Sequence, residues 1–326
     1  MIRSSGRHAA VMAVIVGVGL VGYYLLTTLK GEKGQVCILV MLWTICTVGL
    51  NFLQGLGGYP SLAQASFYGG GAYISSLLLQ RGHGAFVASL LGVVLTMVGG
   101  LLVGLVFART RGQYFAIGTL FFAAVATLVL TNAKGVTRGQ QGMPVDLAFS
   151  PSLTLKLLAI SVSASLAIFY VVSRSRFGEQ LLSIREDEDL ALHLGVPTAR
   201  IKLMALVLSS AFGAWAGVLL AQRDGIIAPS QFTFGKGFLM FVAIGLGGYG
   251  RLLTPIIGSL LVVGVPELLD LGPGVSQIAV GVLFIVITLA VPGGIIGGIE
   301  DLGRRLRSAL TRRPPSSTTG ARGALP

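Results

Sequence analysis

The segment SRSRFGEQLLSIREDEDLALHLGVPTARIK, residues 173–202, is a strongly charged run with hydrophobic sequence on both sides. It holds five Lys/Arg and five Asp/Glu residues, which is 10 of the chain's 36 charged residues (24 basic and 12 acidic). Ser183 and Glu186 fit a capping box, in which the Ser hydroxyl accepts from the N3 amide and the Glu side chain reaches back. The pattern therefore predicts a short helix that begins at Ser183.

The same helix has a predicted apolar stripe and a defined end. Leu190, Ala191 and Leu194 recur at helical spacing, and the acidic residues before them lie near the positive end of the helix dipole. Gly195 is expected to end the helix in a left-handed conformation, and Pro197 prevents its continuation. Two interpretations are open: a solvated connection between two helices, or a docking element. The density of start and stop signals favours docking.

The composition around this segment is that of a membrane protein. The chain has 326 residues, of which 53% are hydrophobic and 11% are charged, whereas soluble domains carry roughly 25% charged residues. A net charge of +12 would suggest nucleic acid as a partner of a soluble protein. In a membrane protein, basic cytoplasmic connections explain it. The composition predicts an all-α, polytopic integral membrane protein that contacts lipid and no nucleic acid.

Ten apolar segments predict about ten transmembrane helices, since about 20 apolar residues cross a hydrocarbon core. They are residues 9–29, 36–54, 61–79, 85–108, 114–131, 153–172, 203–221, 237–248, 252–269 and 275–291. The first is longer than the roughly 7–15 apolar residues of a signal peptide, so we expect it to be retained. Residues 1–300 are then the transmembrane domain, with the charged loop at 174–202. The basic segment 301–326 is predicted to be a disordered tail.

The basic residues of the connecting segments are unevenly distributed. If the N-terminus, the charged loop and the tail are inside, the cytoplasmic segments hold 16 of the 24 Lys and Arg residues. Because cytoplasmic connections carry an excess of Lys and Arg, we predict an N-in, C-in topology with a cytoplasmic charged loop and a cytoplasmic tail.

Glycine and other small residues recur every four positions in several predicted spans, a spacing that lets helix backbones approach closely in a bilayer. These residues are Ser61, Ala65 and Gly69, then Ser209, Gly213 and Gly217, and also Gly100 and Gly104. The sequence GLGGY occurs at 55–59 and again at 245–249, each time at the predicted inner end of a span. This repetition suggests an internal duplication.

The sequence has no pattern typical of catalysis or of nucleotide binding. It lacks the G-x-x-x-x-G-K-[ST] phosphate loop, and it has no G-x-S-x-G, no CxxC and no histidine cluster. We therefore predict that it is not an enzyme and uses no metal or cofactor. No predicted span has an acidic residue near its middle, where ion-coupled carriers usually need one. Energy for uphill transport would come from another chain.

Uncharged polar residues cluster around the GLGGYP break at 55–60. Broken helices at membrane depth are tolerated where they line a cavity, so this region is the predicted solute path. The predicted path residues are Asn51, Gln54, Gln64, Ser66 and Thr119.

Several motifs in order resemble one family over about residues 36–295. They are PSLAQASFYGGGAY (60–73), RGQYFAIGTL (111–120), GQQGMP (139–144), FGEQLLSIREDEDLALHLGV (177–196), AGVLLA (216–221) and GLGGYG…PIIGSLL (245–261). Together they are similar to permeases of the LivM type, from ATP-binding-cassette importers for branched-chain amino acids. The chain departs from the family at 62–66, where it has Leu-Ala-Gln-Ala-Ser instead of the common L-G-H-A-A.

The resemblance implies that the charged loop is the coupling helix, which docks on the ATPase subunit. Residues 189–195 are similar to the E-A-A-x3-G core of importer permeases, with Asp and Leu replacing Glu and Ala, and the downstream I-x-L-P part is absent. The coupling residues implied in this way are Ser183, Arg185, Glu186, Glu188, Asp189, Ala191, Leu194 and Gly195.

The resemblance further implies a permease subunit of the bacterial inner membrane. Its expected partners are ABC ATPase subunits, a second permease that is either the same or a different chain, and an extracytoplasmic solute-binding protein. The expected solute is a branched-chain amino acid or a related small polar molecule. Three alternatives are open: a permease of this family for urea, short amides or another metabolite, a secondary carrier or channel not coupled to ATP, and a membrane scaffold.

Overall fold

The computed structural model describes residues 2–107, 109–269, 272–290 and 293–298, and the predicted tail 301–326 lies outside them. The described chain is almost entirely helical. Its first seven helices are α1 (Ile2–Thr28), α2 (Glu32–Leu50), α3 (Gln64–Gln80), α4 (Ala85–Phe107), α5 (Gln113–Asn132), α6 (Lys134–Thr137) and α7 (Pro151–Ser173). The next seven are α8 (Arg176–Glu186), α9 (Glu188–His193), α10 (Thr198–Asp224), α11 (Phe234–Gly247), α12 (Thr254–Ser259), α13 (Val265–Leu268) and α14 (Pro273–Ala290).

Short irregular segments separate some of these helices. Two π-helical segments, Asn51–Leu56 and Leu260–Gly264, follow α2 and α12 directly. Two 3-10 turns occupy Gly139–Gln141 and Pro229–Phe232. The two-residue strands β1 (Met143–Pro144) and β2 (Ile226–Ile227) form an antiparallel pair.

Six helices of the described chain are long and apolar enough to cross a membrane. They are His8–Thr28, Glu32–Leu56, Ala85–Phe107, Gln113–Asn132, Pro151–Ser173 and Thr198–Asp224. The prediction of an all-α membrane protein is thus confirmed. The other four predicted spans coincide with α3, with α11, with α12–α13 and with α14, where individual helices are no longer than 18 residues. The count of ten spans therefore stays a prediction.

The core of the bundle is a close crossing of α3 and α10. A Cβ atom added at Gly217 would lie 1.9 Å from the Tyr68 carbonyl oxygen, and one at Gly71 would lie 2.1 Å from the Ala214 carbonyl oxygen. On the same face of α10, Gly213 lies against the side chain of Gln64. The predicted small-residue spacing in α10 therefore marks a true backbone contact, the kind that small residues permit inside a bilayer.

Opposite ends of α10 lie next to different connecting segments. At its C-terminal end, the side-chain oxygen of Gln222 accepts hydrogen bonds from the Ala148 and Phe149 amides at 2.9 and 3.3 Å. The pairing of β1 with β2 joins the same two segments, 132–152 and 223–236. At its N-terminal end, α10 follows the charged loop. The charged loop and the segment 132–152 therefore lie at opposite ends of this long helix.

Candidate functional site: the charged loop and its contacts

The charged loop contains two helices rather than one, and the predicted capping box is wrong. The first helix, α8, begins at Arg176, and the Ser175 hydroxyl accepts from the Gly178 amide at 3.4 Å. Ser183 lies inside α8, where its hydroxyl donates to the Gln180 carbonyl oxygen at 2.8 Å. The helix starts earlier than predicted because Leu181 and Ile184 are buried against the bundle, and this apolar face extends α8 through Ser183.

The second helix, α9, has well-formed caps at both ends. Asp187 adopts an extended conformation that separates the two helices, and its carboxylate accepts from the Leu190 amide at 2.9 Å. At the other end, Gly195 has a φ of +86°. The Val196 amide donates to the Ala191 carbonyl and the Gly195 amide donates to that of Leu192, each at 3.0 Å. This is a Schellman ending, so the predicted left-handed conformation of Gly195 is confirmed.

The predicted apolar stripe of the coupling helix is divided between two faces. Ala191 is buried against the permease and so does not share the exposure of the leucines around it; its part in coupling stays a prediction. Leu190, Leu192 and Leu194 are exposed, Leu194 to 76%. At about 100° per residue, Leu190 and Leu194 lie on one side of the buried Ala191 and Leu192 lies on the other. All three leucines are open to a further partner.

A buried ion pair ties α9 to the start of α10. The Lys202 ammonium lies 2.5 Å from a carboxylate oxygen of Glu188, and their side chains are 1% and 16% exposed. The ammonium also donates to the Thr110 carbonyl oxygen at 3.2 Å. The Tyr59 hydroxyl donates to the other oxygen of the Glu188 carboxylate. A lysine is almost never fully buried without a charged partner, so this pair fixes the position of α9.

Arg111 extends this cluster to the connection between α4 and α5. Its guanidinium lies 2.5 Å from the Asp189 carboxylate and 4.0 Å from that of Glu188. Burial raises the pKa of the Tyr59 hydroxyl above its usual range, and the hydrogen bond to Glu188 raises it further. The phenol therefore keeps its proton at neutral pH and acts as a donor.

Glu188 and Asp189 were predicted to belong to the coupling helix, and the groups that bind them were not predicted. The two carboxylates contact the permease itself, and their partners are Tyr59, Arg111 and Lys202. One available signal was the position of Lys202 in the first turns of a long apolar helix, where a charge needs a partner.

Arg185 and Asn51 bring the two GLGGY segments together. The Arg185 guanidinium donates to the Gly55 carbonyl oxygen at 2.6 Å and lies 5.8 Å from the centre of the Tyr249 ring. The Asn51 side chain accepts from the Gly250 amide at 3.1 Å and donates to the Arg251 carbonyl at 3.0 Å. The repeated segments thus meet beside α8.

The fourth residue of each GLGGY segment is a glycine with a positive φ. Gly58 has a φ of +73° and Gly248 a φ of +102°, a region that glycine adopts without steric cost. The repetition in the sequence therefore has a local physical reason: both segments place a glycine at a position of positive φ near the end of a helix.

Glu186 and Ser183 are exposed, and the capping box predicted for them is absent. Their part in coupling stays a prediction.

Three of the predicted path residues bind the backbone of neighbouring elements. Gln64 donates to the Cys46 and Ser209 carbonyl oxygens at 2.8 and 3.2 Å and accepts from the Ser209 hydroxyl at 2.8 Å. Thr119 accepts from the Leu62 amide at 3.1 Å. With Asn51, these side chains satisfy backbone groups next to the helix break, as buried polar groups require.

The other two predicted path residues have unsatisfied atoms. Within the described part of the chain, the Gln54 side-chain oxygen and the Ser66 hydroxyl are buried without a hydrogen-bond partner. Such groups need water or a ligand to offset the cost of burial. The solute path stays a prediction, and these two residues are the members of the set that are open to a further partner.

In the described part of the chain, no three His, Cys, Asp or Glu side chains lie close enough together to hold a metal ion. Cys37 and Cys46 lie on α2 as free thiols.

The described chain is a bundle of apolar helices. Its charged loop is bound by buried polar contacts to the broken ends of those helices. The chain matches the family model described as branched-chain amino acid transport system, permease component, over residues 33–292. The chain therefore belongs to this family of multi-pass membrane permeases, whose role is transport. The predicted likeness to ABC importer permeases of the LivM type is confirmed.

Curated relatives agree with the family. The high-affinity branched-chain amino acid transport system permease protein LivM of Escherichia coli K12 is 29% identical over 294 residues, which cover 80% of this chain and 69% of LivM. LivH of the same strain, with the same description, is 26% identical and is matched over 79% of this chain and 92% of its own length. The autoinducer 2 import system permease protein LsrC of Yersinia pseudotuberculosis is 25% identical and is matched over 83% of this chain and 79% of its own length. No solved structure matches the chain.

Proposed function

We propose that the chain forms the translocation path for branched-chain amino acids in an ABC importer of the bacterial inner membrane. The observation that carries this proposal is the capped helix α9, which presents Leu190, Leu192 and Leu194 outward and is tied inward by Glu188 to Lys202. Family membership supports the choice of solute, because the LivM and LivH relatives are named for branched-chain amino acids.

The proposed partners are two ABC ATPase subunits, a second permease and an extracytoplasmic solute-binding protein. A related second permease is supported by the similarity of this chain to both LivM and LivH of one organism. The exposed leucines of α9 are the proposed contact with the ATPase, since apolar anchors dominate the energy of most interfaces.

We place the N-terminus, the charged loop and the C-terminus in the cytoplasm. The excess of basic residues on that side supports this orientation. Packing also brings three basic segments together: the connection that contains Arg111, the charged loop, and the turn at Arg251. Arg111 contacts α9. The Asn51 side chain joins the Arg251 turn to the helix break beside α8. The His8 ring, hydrogen-bonded to the Tyr170 hydroxyl at 2.8 Å, brings the N-terminal helix to the same end.

The test is uptake by the reconstituted complex. The permease, purified from its source cells with the subunits that accompany it, is placed in liposomes with its binding protein. We expect accumulation of radiolabelled leucine, isoleucine or valine only when ATP is supplied on the ATPase side, because the chain has no phosphate-binding loop of its own.

Other outcomes of the same measurement contradict the proposal in distinct ways. ATP-dependent uptake of urea or acetamide, with no uptake of leucine, would support an ABC importer but contradict the proposed solute. Uptake that follows an ion gradient and ignores ATP would identify a secondary carrier.

A further inference from the structure

We infer that the cluster formed by Glu188, Lys202, Tyr59 and Arg111 is the joint through which movement of a docked ATPase reaches the membrane helices. This inference rests on the proposed function. It names the positioning residues that couple ATPase docking to movement of the membrane helices. The cluster is made from four separate segments: α9, the start of α10, the residue after the GLGG turn, and the connection between α4 and α5.

The contacts connect the docking surface directly to the helix break. Glu188 is the first residue of α9, whose exposed leucines form the proposed contact with the ATPase. The two oxygens of its carboxylate bind different elements, one the Lys202 ammonium and the other the Tyr59 hydroxyl. A shift of α9 therefore acts on α10 and on the segment after α2 at once.

The ion pair is suited to transmit such a shift because it is buried and balanced. Lys202 and Arg111 supply two positive charges, and Glu188 and Asp189 supply two negative charges. The 1% exposure of the Lys202 side chain means that separating it from Glu188 leaves a buried charge without compensation, which is costly. The pair therefore moves as a unit instead of exchanging with water.

The helix that receives the shift is itself tightly packed. Lys202 lies in the first turns of α10, and α10 touches the backbone of α3 at Gly217 without room for a Cβ atom. Because close-packed elements move together or switch between discrete arrangements, α10 is able to carry displacement from the loop into the bundle.

The experiment compares three variants in the reconstituted complex: Glu188→Gln, Lys202→Met, and the double variant that carries both. A purely structural salt bridge predicts that the double variant recovers function, because it buries no unpaired charge and neutral replacements of buried ion pairs are well tolerated. The readouts are recovery of the ATPase on the tagged permease, the rate of ATP hydrolysis, and solute taken up per ATP hydrolysed.

We expect the double variant to insert and to bind the ATPase like the wild type, while its uptake per ATP falls by about tenfold or more, within the usual range of coupling between sites. The control is the double variant of Arg223→Gln with Asp224→Asn, which removes the 2.8 Å ion pair at the other end of α10 without leaving an unpaired charge, and it should match the wild type. If the double variant of Glu188→Gln with Lys202→Met takes up as much solute per ATP hydrolysed as the wild type, the inference that this cluster transmits the movement is contradicted. If the wild type itself shows no ATP-driven uptake, the proposed function fails instead.

Discussion

Replacement of Leu194 by aspartate is expected to abolish ATPase recovery and solute uptake while the permease still inserts into the membrane. Leu194 is 76% exposed, so the change removes little packing within the bundle. An apolar anchor contributes about 2 kcal/mol or more to an interface, which corresponds to a roughly 30-fold loss of affinity. A buried unpaired carboxylate adds a further cost. The measurement is recovery of the ATPase by pull-down at equal permease levels, with uptake in vesicles.

The matched control for this variant is Leu147→Asp. Leu147 is also an exposed leucine, 55% accessible, but it lies in the segment between β1 and α7 at the opposite end of α10. It should leave both readouts unchanged. Normal transport by Leu194→Asp with its ATPase still bound would show that the charged loop is only a connection.

The second large effect is expected at the crossing of α3 and α10. A Cβ atom at Gly217 would lie 1.9 Å from the Tyr68 carbonyl oxygen and 2.9 Å from the Ala72 amide nitrogen. Both neighbours are backbone atoms, so no side chain is free to rotate away. Overpacking of a core typically costs about 1–3 kcal/mol, and a backbone clash at this distance belongs at or above the top of that range. Gly217→Ala should therefore lower the unfolding temperature in detergent and the yield of monodisperse protein.

Gly99→Ala is the matched control, because Gly99 is also inside a helix and a Cβ atom added there meets nothing within 4 Å. It should be neutral or stabilising by about 0.5–1 kcal/mol, the usual difference between glycine and alanine in a helix. A Gly217→Ala protein as heat-stable as the wild type would contradict the close crossing.

Hydropathy was sufficient to locate the long apolar helices, because burial in lipid requires long apolar runs whatever their partners are. The predicted span 114–131 corresponds to α5 at Gln113–Asn132, and 153–172 corresponds to α7 at Pro151–Ser173. The start of α8 was wrong because a capping box is a local pattern, whereas the helix is extended by contacts of Leu181 and Ile184 with distant parts of the bundle.

The contacts of the charged loop could not be predicted from the sequence. Tyr59 and Glu188 are 129 residues apart, and Arg185 and Gly55 are 130 apart, so no local spacing relates them. The conformation of Gly195 could be predicted, since its cap depends on the residues next to it. The carboxamide of Gln64 binds backbone groups of two other helices, which only the packing shows, and its place in the solute path stays a prediction.

The central claim is that α9 is a cytoplasmic docking element for a separate ATPase. A cysteine at Leu192, which is 47% exposed, tests it most directly in a protein whose native Cys37 and Cys46 are replaced by alanine. A membrane-impermeant thiol reagent should label this cysteine only in inside-out vesicles, and a photo-crosslinker attached to it should join the permease to the ATPase. A cysteine at Leu147 should be labelled only from the other face and give no such product. Labelling of Cys at position 192 from outside, or no cross-link in the purified complex, would contradict the account.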